Sequence, residues 1–253
     1  MSLSGQQKIT ASLLIPYWTA LFVATHIPVP QVVQEADVSD KGLHILANLI
    51  LVFLFWFTVS DGKKANWRKA APWCVLVITL AYAIFDEWTQ SFVAGRSCDP
   101  GDLLADLVGT CTGLVAFSFF SFWPAGLLLT AAAILIWANI AQTNLADLIP
   151  AANALFHLIS YAVLTAMWIQ CMRLFVPTIN RRRARAKWPV TASAASAVLL
   201  VITKLSSMIF SKEWTVVDTG VSAVATAVVI TVFYLRAVSY KGTQETEKID
   251  HSD

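Results

Sequence analysis

The chain has 253 residues, 57% of them hydrophobic and only 13% charged, with a mean hydropathy of +0.64 and a net charge of +2. That composition excludes an ordinary soluble domain and places the chain among polytopic membrane proteins. The charge balance is too small to imply nucleic acid, and no such partner is expected.

A membrane span takes about 20 mainly apolar residues to cross about 30 Å of hydrocarbon. Eight candidates follow in chain order, at approximately 9–26, 41–60, 70–87, 102–122, 125–141, 151–172, 189–210 and 215–236. The fold class is therefore all-α, with about eight transmembrane helices. The first run ends in Thr25-His26-Ile27-Pro28 without a small-residue cleavage site, so it reads as a retained helix, not a removed signal peptide. The neutral link from Phe119 to Gly126 predicts a short hairpin. Cys74, Cys98, Cys111 and Cys171 lack metal-ligand spacing, and three lie in apolar runs, so neither a disulfide framework nor a cysteine metal site is implied. The polar tail, 241–253, is expected to be disordered.

Lysine and arginine set the orientation. With the N-terminus inside, Lys8, the Lys63–Lys69 loop, the Arg173–Lys187 loop and the tail collect fourteen of the eighteen basic residues. Eleven of the sixteen acids lean to the opposite side. The expected topology has both termini in the cytoplasm of a plasma (inner) membrane. The basic loop Arg181–Lys187 is then a topology anchor against anionic lipid, not a nucleic-acid patch.

The two halves resemble each other. Asp40, His44 and Asn48 align with Asn153, His157 and Tyr161 at an offset of 113, and Asp102 and Asp106 with Asp218 and Ser222 at an offset of 116. A parallel repeat of two four-helix units is expected, over 1–123 and 124–240. The copies differ in chemistry. Where the first has Asp86, Glu87 and Gln90, the second has Ile202, Thr203 and Ser206.

Charge within or beside a span is costly and marks a candidate site. Asp86–Asp106 holds five acids, Arg96 and Gln90 in 21 residues. Asp40, His44 and Asn48 are spaced i, i+4, i+8 and share one helix face, as do Asp102, Asp106, Gly109 and Gly113 further on. Gly109 and Gly113 form a small-xxx-small pattern that admits a neighbouring helix. Three spans thus offer polar groups at one depth, and convergence into one pocket spares each from facing lipid. Arg96 either neutralises the acids or binds a phosphate or carboxylate in bidentate fashion. His44 beside Asp40 suits acid–base work, whereas His157 reads as structural. His44, Glu87, Asp102 and Asp106 are metal-ligand types, but no HExxH or similar spacing accompanies them, so neither metal nor other cofactor is expected.

Asp40-Lys41-xx-His44, then Asp86-Glu87-xx-Gln90-x-Phe92-xx-Gly95-Arg96, then Asp102-xxx-Asp106-xx-Gly109, resembles the VanZ-like family. The resemblance is specific over Asp40–Gly113. Asp106 replaces the family's usual asparagine and adds a charge. The resemblance implies a cell-envelope context and low-level glycopeptide (teicoplanin) resistance, without a defined reaction.

Three functions compete. The first is a site that binds or acts on a lipid-linked or phosphate-bearing envelope molecule. Its catalytic candidates are Glu87, His44, Asp86 and Asp102, and its substrate-binding candidates Arg96, Gln90, Asp40, Lys41, Asn48 and Asp106. The second is a proton-coupled transporter or flippase, and the third a non-catalytic scaffold surrounded by membrane lipids.

Overall fold

The computed structural model describes residues 3–28, 39–93, 96, 98–140, 150–175, 181–209 and 216–250; at 139–140, 175, 181–187 and 237–250 it describes the backbone alone. Among these residues there are eight helices and no strand: α1 (Gly5–Thr25), α2 (Asp40–Ser60), α3 (Ala70–Gln90), α4 (Pro100–Phe119), α5 (Phe122–Ile140), α6 (Pro150–Phe175), α7 (Arg181–Ile209) and α8 (Val216–Asp250). Seven are long and apolar enough to cross a membrane, and α5 offers a shorter apolar stretch, Phe122–Ala138. The protein is an all-α, multi-pass membrane protein. Its surface carries large apolar side chains such as Val77, Ile84, Leu104 and Val198, as lipid-facing helices require.

Local signals fix the helix ends. Ser4 and Gln7 form a capping box at the start of α1. Ser39 caps α2 through the Gly42 N–H at 3.3 Å, and Asp99 caps α4 through the Gly101 N–H at 2.7 Å, with Pro100 opening the first turn. Beyond α2 the chain turns through Asp61 (φ 53°) and Gly62 (φ 72°), both left-handed, a conformation aspartate and glycine tolerate best.

Contacts divide the chain into two compact units, Met1–Leu148 and Ile149–Asp253. In the first, α2 is central, with α4 as its principal neighbour and α1, α3 and α5 around them. The α2–α4 approach depends on glycine. A Cβ added at Gly109 would stand 2.6 Å from the Ile45 carbonyl, and one at Gly113 would stand 2.5 Å from Val52 Cγ1. The Ser60 end of this unit is apolar and sealed by Phe53, Phe57, Phe117 and Phe122, with ring centroids 5.0–5.9 Å apart. Phe122 draws α5 onto α2, so α5, expected to open the second repeat, lies by its contacts in the first unit. In the second unit α6, α7 and α8 pack on one another, and α8 continues helical from its apolar part, which ends at Arg236, to Asp250.

Candidate functional site

At the other end of the first unit, α1, α2, α3 and α4 bring ionisable side chains together. Asp102 and Asp106 lie one turn apart on α4 and are both buried. They face the Asp40–His44–Asn48 stripe of α2. His44 Nδ1 is 2.9 Å from Asp106 Oδ1, and Asn48 Nδ2 donates to that same oxygen. His44 Nε2 points to Asp102 Oδ2 at 3.8 Å. The other oxygen of Asp102 accepts from Lys41, whose ammonium also pairs with Asp99. Lys41 therefore bridges the cap of α4 to its first turn. The ammonium holds the half-exposed Asp99 carboxyl below the usual aspartate range, helped by the Gly101 N–H.

A second group surrounds Asp86. Its Oδ1 accepts from Thr25 Oγ1 at 3.0 Å and from the Tyr82 hydroxyl at 3.3 Å, and its Oδ2 accepts from Gln90 Nε2 at 2.6 Å. His26 stacks on Phe22, its Nδ1 is 3.8 Å from Asp86 Oδ1, and its Nε2 lies 2.8 Å from Thr89 Oγ1. Asp86 thereby ties α1 to α3.

Glu87 lies beside the first group and is 3% exposed. Its Oε2 accepts the Asp99 N–H at 3.0 Å, while its Oε1 is sealed from solvent without a hydrogen-bond partner among the described residues. The charges acting on it are those of Asp102, His44 and Asp106.

Nine of the ten site residues singled out in the sequence thus fall into two connected groups or beside them: Asp40, Lys41, His44, Asn48, Asp102 and Asp106, with Glu87 adjacent, and Asp86 with Gln90. Arg96 joins neither network by a hydrogen bond or ion pair among the described residues, and its Nε is buried and unpartnered. The lysine or arginine that pairs with the start of α4 is Lys41, through Asp102 and the capping Asp99. Sequence reading missed Thr25, His26, Tyr82 and Asp99. A polar pair closing an otherwise apolar α1 was the available signal for the first two. The donors of Asp40, His44 and Asp102 also lie within 4.8 Å of one another, close enough to share a metal ion.

No curated protein and no solved structure matches the chain. The VanZ/LLP1 family model matches residues 2–123, the segment that contains the whole polar constellation. Over that segment, just under half of its length, the chain is similar to the VanZ/LLP1 family.

Proposed function

We propose that the polar end of the first unit is an outward-facing site for a lipid-linked or phosphate-bearing molecule of the cell envelope, in a glycopeptide-resistance-like context. One observation carries this reading: Glu87 is a deeply buried carboxylate with one oxygen left unpartnered beside a histidine held in place by Asp106. Packing alone does not call for such a group, whereas proton exchange with a bound molecule does. In this reading Glu87 and His44 are base and acid, Asp86, Gln90 and Asp102 orient them, and Arg96, without an ion-pair partner among the described residues, holds the anion. The excess of basic residues in the loops at the opposite end supports the outward orientation.

The test is binding of a polyprenyl phosphate to the full chain in nanodiscs, against the corresponding uncharged polyprenol. Arg96→Ala is expected to weaken phosphate binding about tenfold or more, as loss of a charge-assisted bidentate contact does. Glu87→Gln is expected to keep binding and lose its pH dependence. Wild-type behaviour in both variants would overturn the reading.

The competing scaffold reading has its own observation. Asp86, Asp102 and Asp106 each join two helices through hydrogen bonds or ion pairs. A pure scaffold predicts that Glu87→Gln changes only thermal stability.

We also propose that the units descend from a duplication. In support, α6 and α8 bring His157 and Asp218 together as α2 and α4 bring His44 and Asp102.

A further inference from the structure

We propose that Asp40, His44 and Asp102 bind a divalent transition-metal ion of the Zn²⁺ or Mn²⁺ class. Three donors around one ion at about 2.1 Å lie up to about 4.2 Å apart. Here the three lie within 4.8 Å, and Asp40 is exposed and free to close the difference by rotation.

The histidine is already set as a ligand. Asp106 occupies its Nδ1 side at 2.9 Å, and Asn48 fixes Asp106 in turn. With the proton on Nδ1, the lone pair of Nε2 faces Asp102 Oδ2 at 3.8 Å. A lone pair and a carboxylate oxygen repel each other unless a proton or a metal cation stands between them. A carboxylate behind one nitrogen and a metal at the other is the usual support of a ligating histidine. Asp102 is divided to match, since Lys41 takes its Oδ1 and leaves Oδ2 turned to the histidine.

Glu87 supplies the independent sign of a missing partner. It is 97% buried, its Oε1 has no donor among the described residues, and it feels Asp102, His44 and Asp106. A carboxylate oxygen sealed among other carboxylates lacks a counter-charge. Against Asp40, Glu87, Asp99, Asp102 and Asp106, Lys41 is the one lysine or arginine paired with any of them among the described residues. A divalent ion corrects that imbalance. One imidazole among carboxylates favours Zn²⁺ or Mn²⁺ over Mg²⁺ and Ca²⁺, which take oxygen sets. The ion's binding does not depend on the anion reading above, because it is measured without any lipid substrate.

The experiment uses the full chain in detergent, stripped with EDTA and titrated with Zn²⁺ by calorimetry and with Mn²⁺ by electron paramagnetic resonance. One ion per chain is expected. Asp40→Asn, on the exposed rim, is expected to weaken binding about tenfold or more while leaving the melting temperature of the stripped protein unchanged; His44→Gln is expected to weaken it further. Asp99→Asn, which removes a Lys41 partner but no ligand, is expected to keep the affinity. Absence of binding, binding that survives Asp40→Asn together with His44→Gln, or equal affinity for Mg²⁺ would overturn the proposal.

Discussion

The two units solve one problem at different charge densities. In the first, α2 and α4 face each other across His44, Asp102 and Asp106, and Lys41, Asn48 and Asp99 are needed to satisfy them. In the second, α6 and α8 bring together a smaller set. Asp218 Oδ1 accepts from Asn153 Nδ2 at 2.8 Å, and His157 Nε2 lies 4.0 Å away. Asn153, His157 and Asp218 are all buried. At the positions of Asp40, Asp106 and Glu87 the second unit has Asn153, Ser222 and Thr203, so one carboxylate remains where the first has four. An amide and an imidazole can satisfy one carboxylate, whereas four require cations. The excess charge is therefore what distinguishes the first unit from the second.

Restoring charge to the second unit is the strongest way to break this comparison. Ser222→Asp places a carboxylate where Asp106 sits in the first unit. Ser222 is fully buried, and its hydroxyl donates to the Asp218 carbonyl one turn away. Tyr161 stands where Asn48 does, so the new acid lacks the amide that donates to Asp106. We expect a loss of about 3–5 kcal/mol, the usual cost of an uncompensated buried charge, measured by denaturant unfolding of the purified protein. Near-neutral behaviour would show that the second unit can host the first unit's chemistry.

A smaller effect separates the helix contacts. Gly109 aligns with Ala225, so the second unit already carries a methyl group where the first has none. Gly109→Ala drives its Cβ to 2.6 Å from the Ile45 carbonyl, and backbone cannot swing aside. We expect a loss of about 1–3 kcal/mol from overpacking, despite alanine's better helix propensity. Ala225 is buried, so Ala225→Gly should cost about 1–2 kcal/mol, from helix propensity and the loss of a buried methyl group. Equal losses by thermal melting would mean that the two interfaces are equally close.

These contrasts also show how far the sequence carries. Helix positions are legible because spans are set by local hydropathy, and the α2 and α4 stripes are legible because 3.6 residues per turn put Asp40, His44 and Asn48 on one face and Asp102, Asp106 and Gly109 on another. Which helix meets which face is not local information. The Asp86 partners Thr25 and Tyr82 sit on α1 and on Asp86's own helix, and α1 shows no polar stripe that would aim it at α3. Lys41 and Arg96 were both available to neutralise the acids. Choosing between them depends on the cap of α4, where Asp99 reaches back to Lys41. The donors Asp40, His44 and Asp102 have no motif spacing because they come from two helices sixty residues apart in the chain.

The smallest effect tests that cap. At the positions of Lys41 and Asp99 the second unit has Ala154 and Thr215, so the pairing belongs to the first unit alone. Lys41 lowers the folded-state pKa of Asp99 below the value of about 3.9 that an unfolded aspartate has. A depressed carboxylate contributes stability that is fully present above the unfolded value and is lost as pH falls through the lower, folded one. The melting temperature should therefore decline as pH drops below about 4, and Asp99→Asn should remove part of that decline. Because Asp99 is half-exposed, the change should be small and should shrink further in high salt. A decline unaltered by Asp99→Asn would show that the Lys41–Asp99 pair contributes nothing measurable, as many exposed ion pairs do, and that the acid sensitivity arises outside the capping turn.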